Sequence, residues 1–342
     1  MFEEGIRLKK EFGEENVFDL SLGNPVIEPP EEVRKALIES ARDESHGLHR
    51  YMPNAGLADV RGVIAESLSP ECKVELSAND VVMVCGAAGG LNITLKTLLD
   101  PGDEVIIFAP YFVEYLFYAD NHGGKAVAVP TLDDFRLNFE ALQNALNEKT
   151  KAVIINSPNN PTGVLYSRQE LQELARVLKA HSDKLGKAVY LISDDPYKKI
   201  TFDGVEAPNI MEFYQDSIYI TSHSKDIALP GERIGFLAVH PQCESAGLLM
   251  AGLIFCNRVL GFVNAPALIQ RVVKQVQGVT VDVEQYRRKR DYLHNELTRI
   301  GYQVVKPQGA FYFFPKSPLE DEVEFVKKLA DEKVLVVPGR GF

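Results

Sequence analysis

This chain predicts an α/β fold, with a mostly parallel central sheet carrying helices on both faces and a smaller α+β domain after it. Three observations carry that expectation. Short apolar runs alternate with stretches of helical period, the pattern of a parallel sheet buried on both sides. Several of the runs end in turns rich in Gly, Asn or Pro that no strand continues. Beyond His240-Pro241 the alternation stops and longer helical stretches take over.

Taken in order, residues 1-41 read as an N-terminal segment joining the smaller domain, 42-245 as the large domain and 246-342 as the small one. The large domain opens with a helical pattern from Leu57 to Ser67. Val81 to Cys85 reads as a buried strand, and Gly86-Ala87-Ala88-Gly89-Gly90 leads from it into a helix from Leu91 to Leu99. Strand patterns recur at Val105 to Ala109, Ala126 to Val129, Ala152 to Asn156, Val189 to Ser193, Ile218 to Thr221 and Phe236 to His240. Helices are expected between them at Phe139 to Leu146 and Ser167 to His181, the second opened by Ser167 and Glu170 in capping-box spacing. The small domain is expected to hold helices from Glu244 to Arg258 and from Pro266 to Ile300. Strands from Tyr302 to Val305 and Ala310 to Phe314 are expected to follow.

Composition narrows the function classes. A chain of 342 residues that is 45% hydrophobic and 25% charged has the balance of an ordinary globular protein. Its net charge of -11 speaks against nucleic acid as a partner. The longest apolar run, Ala246 to Cys256, is shorter than the roughly 20 residues that span a bilayer, so no membrane partner is expected. Met1-Phe2-Glu3-Glu4 lacks the basic and apolar regions of a signal peptide, so a cytoplasmic location is expected. The 4 cysteines make no Cys-x-x-Cys pair and the 7 histidines show no ligand spacing, which predicts reduced thiols and no metal.

Chemistry concentrates in four places. Ser222-His223-Ser224-Lys225 sets a lysine among small hydroxyls, and Arg233 follows in Gly231-Glu232-Arg233-Ile234-Gly235. A lysine nucleophile must shed its proton near neutral pH, and a desolvated pocket holding other positive charge favours that. Alone, the pair would read as two surface members of the chain's 37 basic residues. They are not alone, because Asn156-Ser157-Pro158-Asn159-Asn160-Pro161-Thr162-Gly163 makes a rigid turn after one strand, and another strand ends by presenting Asp194 and then Tyr197. Ligands of open α/β sheets bind outside the carboxyl ends of strands. The glycine-rich entry at Gly86 leaves backbone amides free for a phosphate.

In this order the segments resemble the fold-type I pyridoxal 5'-phosphate (PLP) aminotransferases of class I/II, the aspartate aminotransferase superfamily. The resemblance runs from Ser21-Leu22-Gly23-Asn24-Pro25 through Tyr51, Gly86-Ala87-Ala88, Pro110-Tyr111-Phe112 and the turn at 156-163. It continues through Asp194 with Tyr197 and Ser222 to Lys225 as far as Arg233. It implies an enzyme of the PLP-transferase fold type I that moves an amino group between an α-amino acid and a 2-oxo acid by a ping-pong cycle. It also implies a homodimer with shared active sites.

By the same resemblance, Lys225 would form a Schiff base with PLP and carry a proton during the reaction, while Asp194 would pair with the pyridine nitrogen. Asn160 and Tyr197 would bind the ring's phenolic oxygen, and Phe112 would stack on the ring. Arg233 and Ser222, with the amides of Gly86, Ala87 and Ala88, would hold the phosphate. Tyr51 would reach the neighbouring subunit's phosphate, and Gly23 and Asn160 would border the substrate. Asp195 is expected to do no more than cap the strand end, and Arg258 stands where some members place an arginine for acidic side chains. One departure concerns Pro338-Gly339-Arg340-Gly341-Phe342, which resembles the turn ahead of the family's carboxylate-clamping arginine. The sequence stops there, so the last strands and helix are expected to be missing from it, and Arg340 comes too early for that role. The same constellation also serves carbon-sulfur lyases, aminocyclopropane-carboxylate-synthase-like enzymes and non-catalytic PLP sensors attached to DNA-binding modules. No basic helix-turn-helix pattern precedes residue 20, which argues against the sensor.

Overall fold

The computed structural model describes residues 2–342. Nine strands are present among them: β1 Phe18–Asp19, β2 Val81–Val84, β3 Glu104–Ala109, β4 Lys125–Pro130, β5 Thr150–Ile155, β6 Tyr190–Asp194, β7 Ser217–Ser222, β8 Gly235–Val239 and β9 Val334–Leu335. The helices are α1 Phe2–Phe12, α2 Glu31–Arg42, α3 Ala58–Cys72, α4 Gly86–Leu98, α5 Glu114–Asn121, α6 Phe139–Ala145, α7 Arg168–Leu185, α8 Ala246–Val259, α9 Ala267–Gln275, α10 Val283–Arg299 and α11 Glu322–Asp331.

Seven strands form one sheet in the order β2-β8-β7-β6-β5-β3-β4. Strands β2, β6 and β8 are buried throughout, and β5 and β7 at all but one residue each, as a sheet covered on both faces requires. One apolar layer joins α4, α5 and α8 to the sheet through Leu91, Leu95, Tyr115, Leu253, Ile192 and Ile220. A second, on the other face, packs Leu171, Leu174 and Leu178 of α7 on Val153, Ile155 and Leu191. The expected capping box at the start of α7 forms, with Ser167 and Glu170 each bonding the other's backbone amide.

The pairings β3–β4, β3–β5, β5–β6 and β6–β7 are parallel, whereas β8 runs antiparallel to both β2 and β7. The sheet is therefore mostly parallel, with one reversed strand. That reversal positions chemistry: the carboxyl ends of β2, β5, β6 and β7 and the amino end of β8 share one edge.

Two expectations need correction. The stretch from Pro266 to Ile300 is two helices, because Gly278 turns the chain with φ of 81° and Val281 and Thr280 donate to the carbonyl of Asp226 instead of continuing a helix. The segments at 302–305 and 310–314 form no strands; only the isolated bridge Thr201–Gly309 stands just ahead of the second, whose aromatic residues are used elsewhere. Helix α8, assigned above to the small domain, packs Leu249, Met250 and Leu253 into the core of the large sheet, and α9 packs Ile269 and Val273 beside α3. We propose that the large unit runs to about Val276 and that the small one follows it, because those apolar faces have their partners in the sheet layers. Near the chain's two ends, β1 pairs parallel with β9, and Leu8 and Val17 pack on Leu335.

Candidate active site

The strand order lines up the residues of interest along one edge. Gly235 opens β8 and lies in register between Val84 of β2 and Ser222 of β7. Next to Ser222 comes Asp194 at the end of β6, then Asn156 after β5. Because β8 is reversed, Arg233 reaches this edge just before its strand begins.

Lys225 sits three residues past β7, and its Nζ donates to the carbonyl of Gly23 at 2.6 Å. The aromatic rings of Phe311 and Tyr197 lie 5.3 Å and 5.9 Å from that nitrogen. Burial first, and then the positive charge of Arg233, depress the amine to about 8. Asp194 is buried, and burial pushes its carboxyl up to about 7, with a hydrogen bond from Tyr115 and the charge of Asp195 acting in opposite senses. Tyr115 donates to its Oδ2 at 2.7 Å, while Oδ1 is buried with no partner. The backbone carbonyl of Asp194 accepts from the side-chain amide of Asn156, whose own oxygen accepts from the backbone amide of Asn160 at 2.6 Å. The turn at 156–163 is thereby tied to the end of β6. Asp195 takes the structural role: one oxygen accepts from the amide of Ser157 at 3.2 Å and the other from the hydroxyl of Ser193 at 2.7 Å.

Tyr197 is buried beside Lys225, and its hydroxyl shares a 2.6 Å hydrogen bond with that of Tyr312. Tyr312 in turn closes over Gly23, where any side chain would overlap its ring. Phe112 lies edge-on to Tyr115, with ring centroids 5.5 Å apart.

On the other side of Lys225, helix α4 begins at Gly86 without a side-chain cap, so the first-turn amides of Gly86, Ala87 and Ala88 are free of one. Gly86 has φ of 70°, and a Cβ there would stand 2.6 Å from Nη2 of Arg233. The guanidinium lies over this turn and donates to the carbonyl of Pro230 at 2.9 Å, from an arginine that is itself in a left-handed conformation (φ 49°). An uncapped helix start beside a cation suits an anion.

The edge thus gathers Gly23, Gly86, Ala87, Ala88, Asn160, Asp194, Tyr197, Ser222, Lys225 and Arg233, with Phe112 reached through Tyr115. Tyr51 and Arg258 are not drawn in. Tyr51 is 93% exposed and Arg258 lies on the exposed side of α8. Sequence reasoning did not assign roles to Asn156, Phe311 or Tyr312, and it did not tie Tyr115 to Asp194. The position of Tyr115, three residues after Phe112, was a usable signal, since that spacing puts both on one side of a helical turn. Phe311 and Tyr312 were hidden by reading their segment as a strand.

A family model described as aminotransferase class I and II matches residues 15–342. A probable aspartate aminotransferase of Methanocaldococcus jannaschii is 32% identical over 333 residues, covering 95% of this chain and 85% of that protein. The aromatic-amino-acid aminotransferase 2 of Thermococcus litoralis is also 32% identical, over 340 residues, covering 96% of this chain and 85% of its own. A crystal structure of an amino transferase from Eubacterium rectale superposes with a TM-score of 0.97 at 38% identity, covering 99% of this chain and 86% of that one.

Proposed function

This chain belongs to the class I and II aminotransferases and moves an amino group between an amino acid and a 2-oxo acid, and from that premise we propose that its working group is PLP held at Lys225. The observation that carries the reading is the carboxylate of Asp194. One of its oxygens is buried without a donor at the edge where Lys225 offers an amine of depressed pKa. A buried acceptor left unpaired is costly, and a protonated pyridine nitrogen is a donor of the right charge. The pocket between Gly86 and Arg233 suits a phosphate for the reasons given by its charge and free amides.

When bound, PLP supplies an electron sink for the pair of electrons released at the substrate Cα. The rest is work for the chain. Lys225 would supply the amine that holds the cofactor by its aldehyde, and the same amine would move the proton at the substrate Cα. Asp194 keeps the ring nitrogen protonated. The hydroxyl of Tyr197, backed by Tyr312, and the side chain of Asn160 would bind the ring's phenolic oxygen, and Phe112 would pack on the ring. Ser222, Arg233 and the amides of Gly86, Ala87 and Ala88 hold the phosphate, while Gly23 and Asn160 border the substrate. The cycle is ping-pong: one amino acid leaves as its oxo acid before a second oxo acid is aminated.

We further propose a homodimer that shares its active sites, in the cytoplasm. Tyr51 projects from the chain with nothing of its own to bind, and Leu248, Phe255 and Val259 leave an apolar face of α8 exposed at helical spacing. No described helix is long and apolar enough to cross a membrane.

The test is the visible absorbance of the PLP-supplied protein before and after mixing with amino acids, including aspartate and tyrosine, with oxo acids detected. A cofactor band that bleaches with release of about one oxo acid per site, and returns on adding a second oxo acid, is the expected result. A band that persists while product accumulates without an acceptor would point to a lyase, and absence of any band would remove PLP from Lys225.

A further inference from the structure

Tyr115 lies in the first turn of α5, with its phenol almost fully buried in the apolar layer that joins α4, α5 and α8 to the sheet. A buried phenol hydroxyl needs an acceptor, and backbone carbonyls are the usual ones. Here the acceptor is Oδ2 of Asp194, at 2.7 Å, although the two residues are 79 apart in sequence. The other oxygen of that carboxylate has no partner. A carboxylate turns easily about the bond that carries it, since that torsion has broad minima. A single donor on Oδ2, held from a separate helix, stops the rotation and leaves Oδ1 as the free acceptor. The same donor favours the ionised carboxylate, against the burial that opposes it. Tyr115 is held in turn by Phe112, whose ring meets it edge-on at 5.5 Å.

We propose that Tyr115 is a positioning residue for the cofactor ring: its hydroxyl fixes the Asp194 carboxylate so that Oδ1 meets the ring nitrogen. This rests on the PLP reading above. It links the stacking residue and the ring-nitrogen residue into one unit, in which the Phe112 ring steadies Tyr115 and Tyr115 steadies Asp194. Tyr115 touches neither substrate nor cofactor and acts only through the carboxylate.

The test compares PLP dissociation constants by equilibrium dialysis, and the circular dichroism induced in the bound cofactor, for wild type, Tyr115→Phe, Asp194→Ala and the double variant. Tyr115→Phe keeps the ring and its packing, and thermal unfolding of the cofactor-free proteins verifies that the variants fold. Expected are PLP binding weakened by roughly tenfold in Tyr115→Phe, with an altered induced signal, since a hydrogen bond to a charged group is lost. The double variant should then bind no more weakly than Asp194→Ala alone, because the hydroxyl acts through that carboxylate. PLP binding in Tyr115→Phe within about twofold of wild type with an unchanged signal, or additive losses in the double variant, would make Tyr115 a packing residue and overturn the proposal. Wild type that takes up no PLP at all would instead overturn the reading beneath it.

Discussion

The amine of Lys225 is depressed to about 8 by burial and by Arg233. Since only the neutral amine attacks an aldehyde, capture of PLP by the cofactor-free protein should be complete in its pH dependence above that value and fall away as pH drops through it. Stopped-flow measurement of PLP uptake against pH should therefore give a rising curve with a midpoint near 8. The variant Arg233→Gln removes a positive neighbour, so its midpoint should move to higher pH. A curve centred on the ordinary lysine range in wild type would show that the amine is not prepared in this way. Lys225→Ala loses both the covalent anchor and the proton carrier, and steady-state turnover should fall by roughly three orders of magnitude or more. A near-normal rate would defeat the assignment. Asp195 makes the opposite point: adjacent to Asp194, and likewise raised by burial, to about 6, it has both oxygens engaged, by Ser157 and Ser193. Identity of residue type does not separate the two aspartates; their hydrogen-bond partners do.

At the scale of elements, the junction between β2 and α4 and the turn before β8 form one unit, because Gly86 leaves the space that the Arg233 guanidinium fills. Gly86→Ala places a Cβ in that space and puts a side chain at φ of 70°. The conformation alone costs about 1–2 kcal/mol, and the arginine must also move. A melting temperature lowered by roughly 2–6 °C in the cofactor-free protein is expected, together with weaker PLP binding; both can be read by calorimetry and dialysis. Unchanged values would mean that this turn is not the phosphate cradle. Elements of this kind were legible wherever local signals decide them. The buried strands, the capping box of Ser167 and Glu170, and the glycine-rich entry to α4 all follow from short-range chemistry. What escaped depends on partners distant in sequence. The antiparallel course of β8 is set by the sheet edges left for it, and the loss of helix after Gln275 follows from bonds to Asp226. The aromatic run at Phe311 to Phe314 has a strand's composition, yet no ladder accepts it, and Phe311 and Tyr312 cover Lys225 and Gly23 instead.

For the whole molecule the open question is whether one chain makes a complete site. Arg233, the proposed phosphate cation, is exposed in the single chain, while Tyr51 stands 93% exposed and contacts none of the residues gathered at the edge. The apolar face of Leu248, Phe255 and Val259 on α8 is of a kind that a second copy covers. If Tyr51 serves the neighbouring subunit's site, defects in Tyr51 and Lys225 lie in different chains and can complement. Tyr51→Ala and Lys225→Ala proteins, each poorly active alone at limiting PLP, should recover activity when unfolded and refolded together. In a mixed two-fold dimer one site combines both defects and the other has neither, and half of randomly paired dimers are mixed. Recovery to about a quarter of wild-type activity per chain is therefore expected. If Tyr51 acts within its own chain, every site in the mixture retains one defect and no recovery occurs. Analytical ultracentrifugation of the refolded mixture separates these outcomes from failure to assemble, because a monomer that remains active would refute the shared site directly.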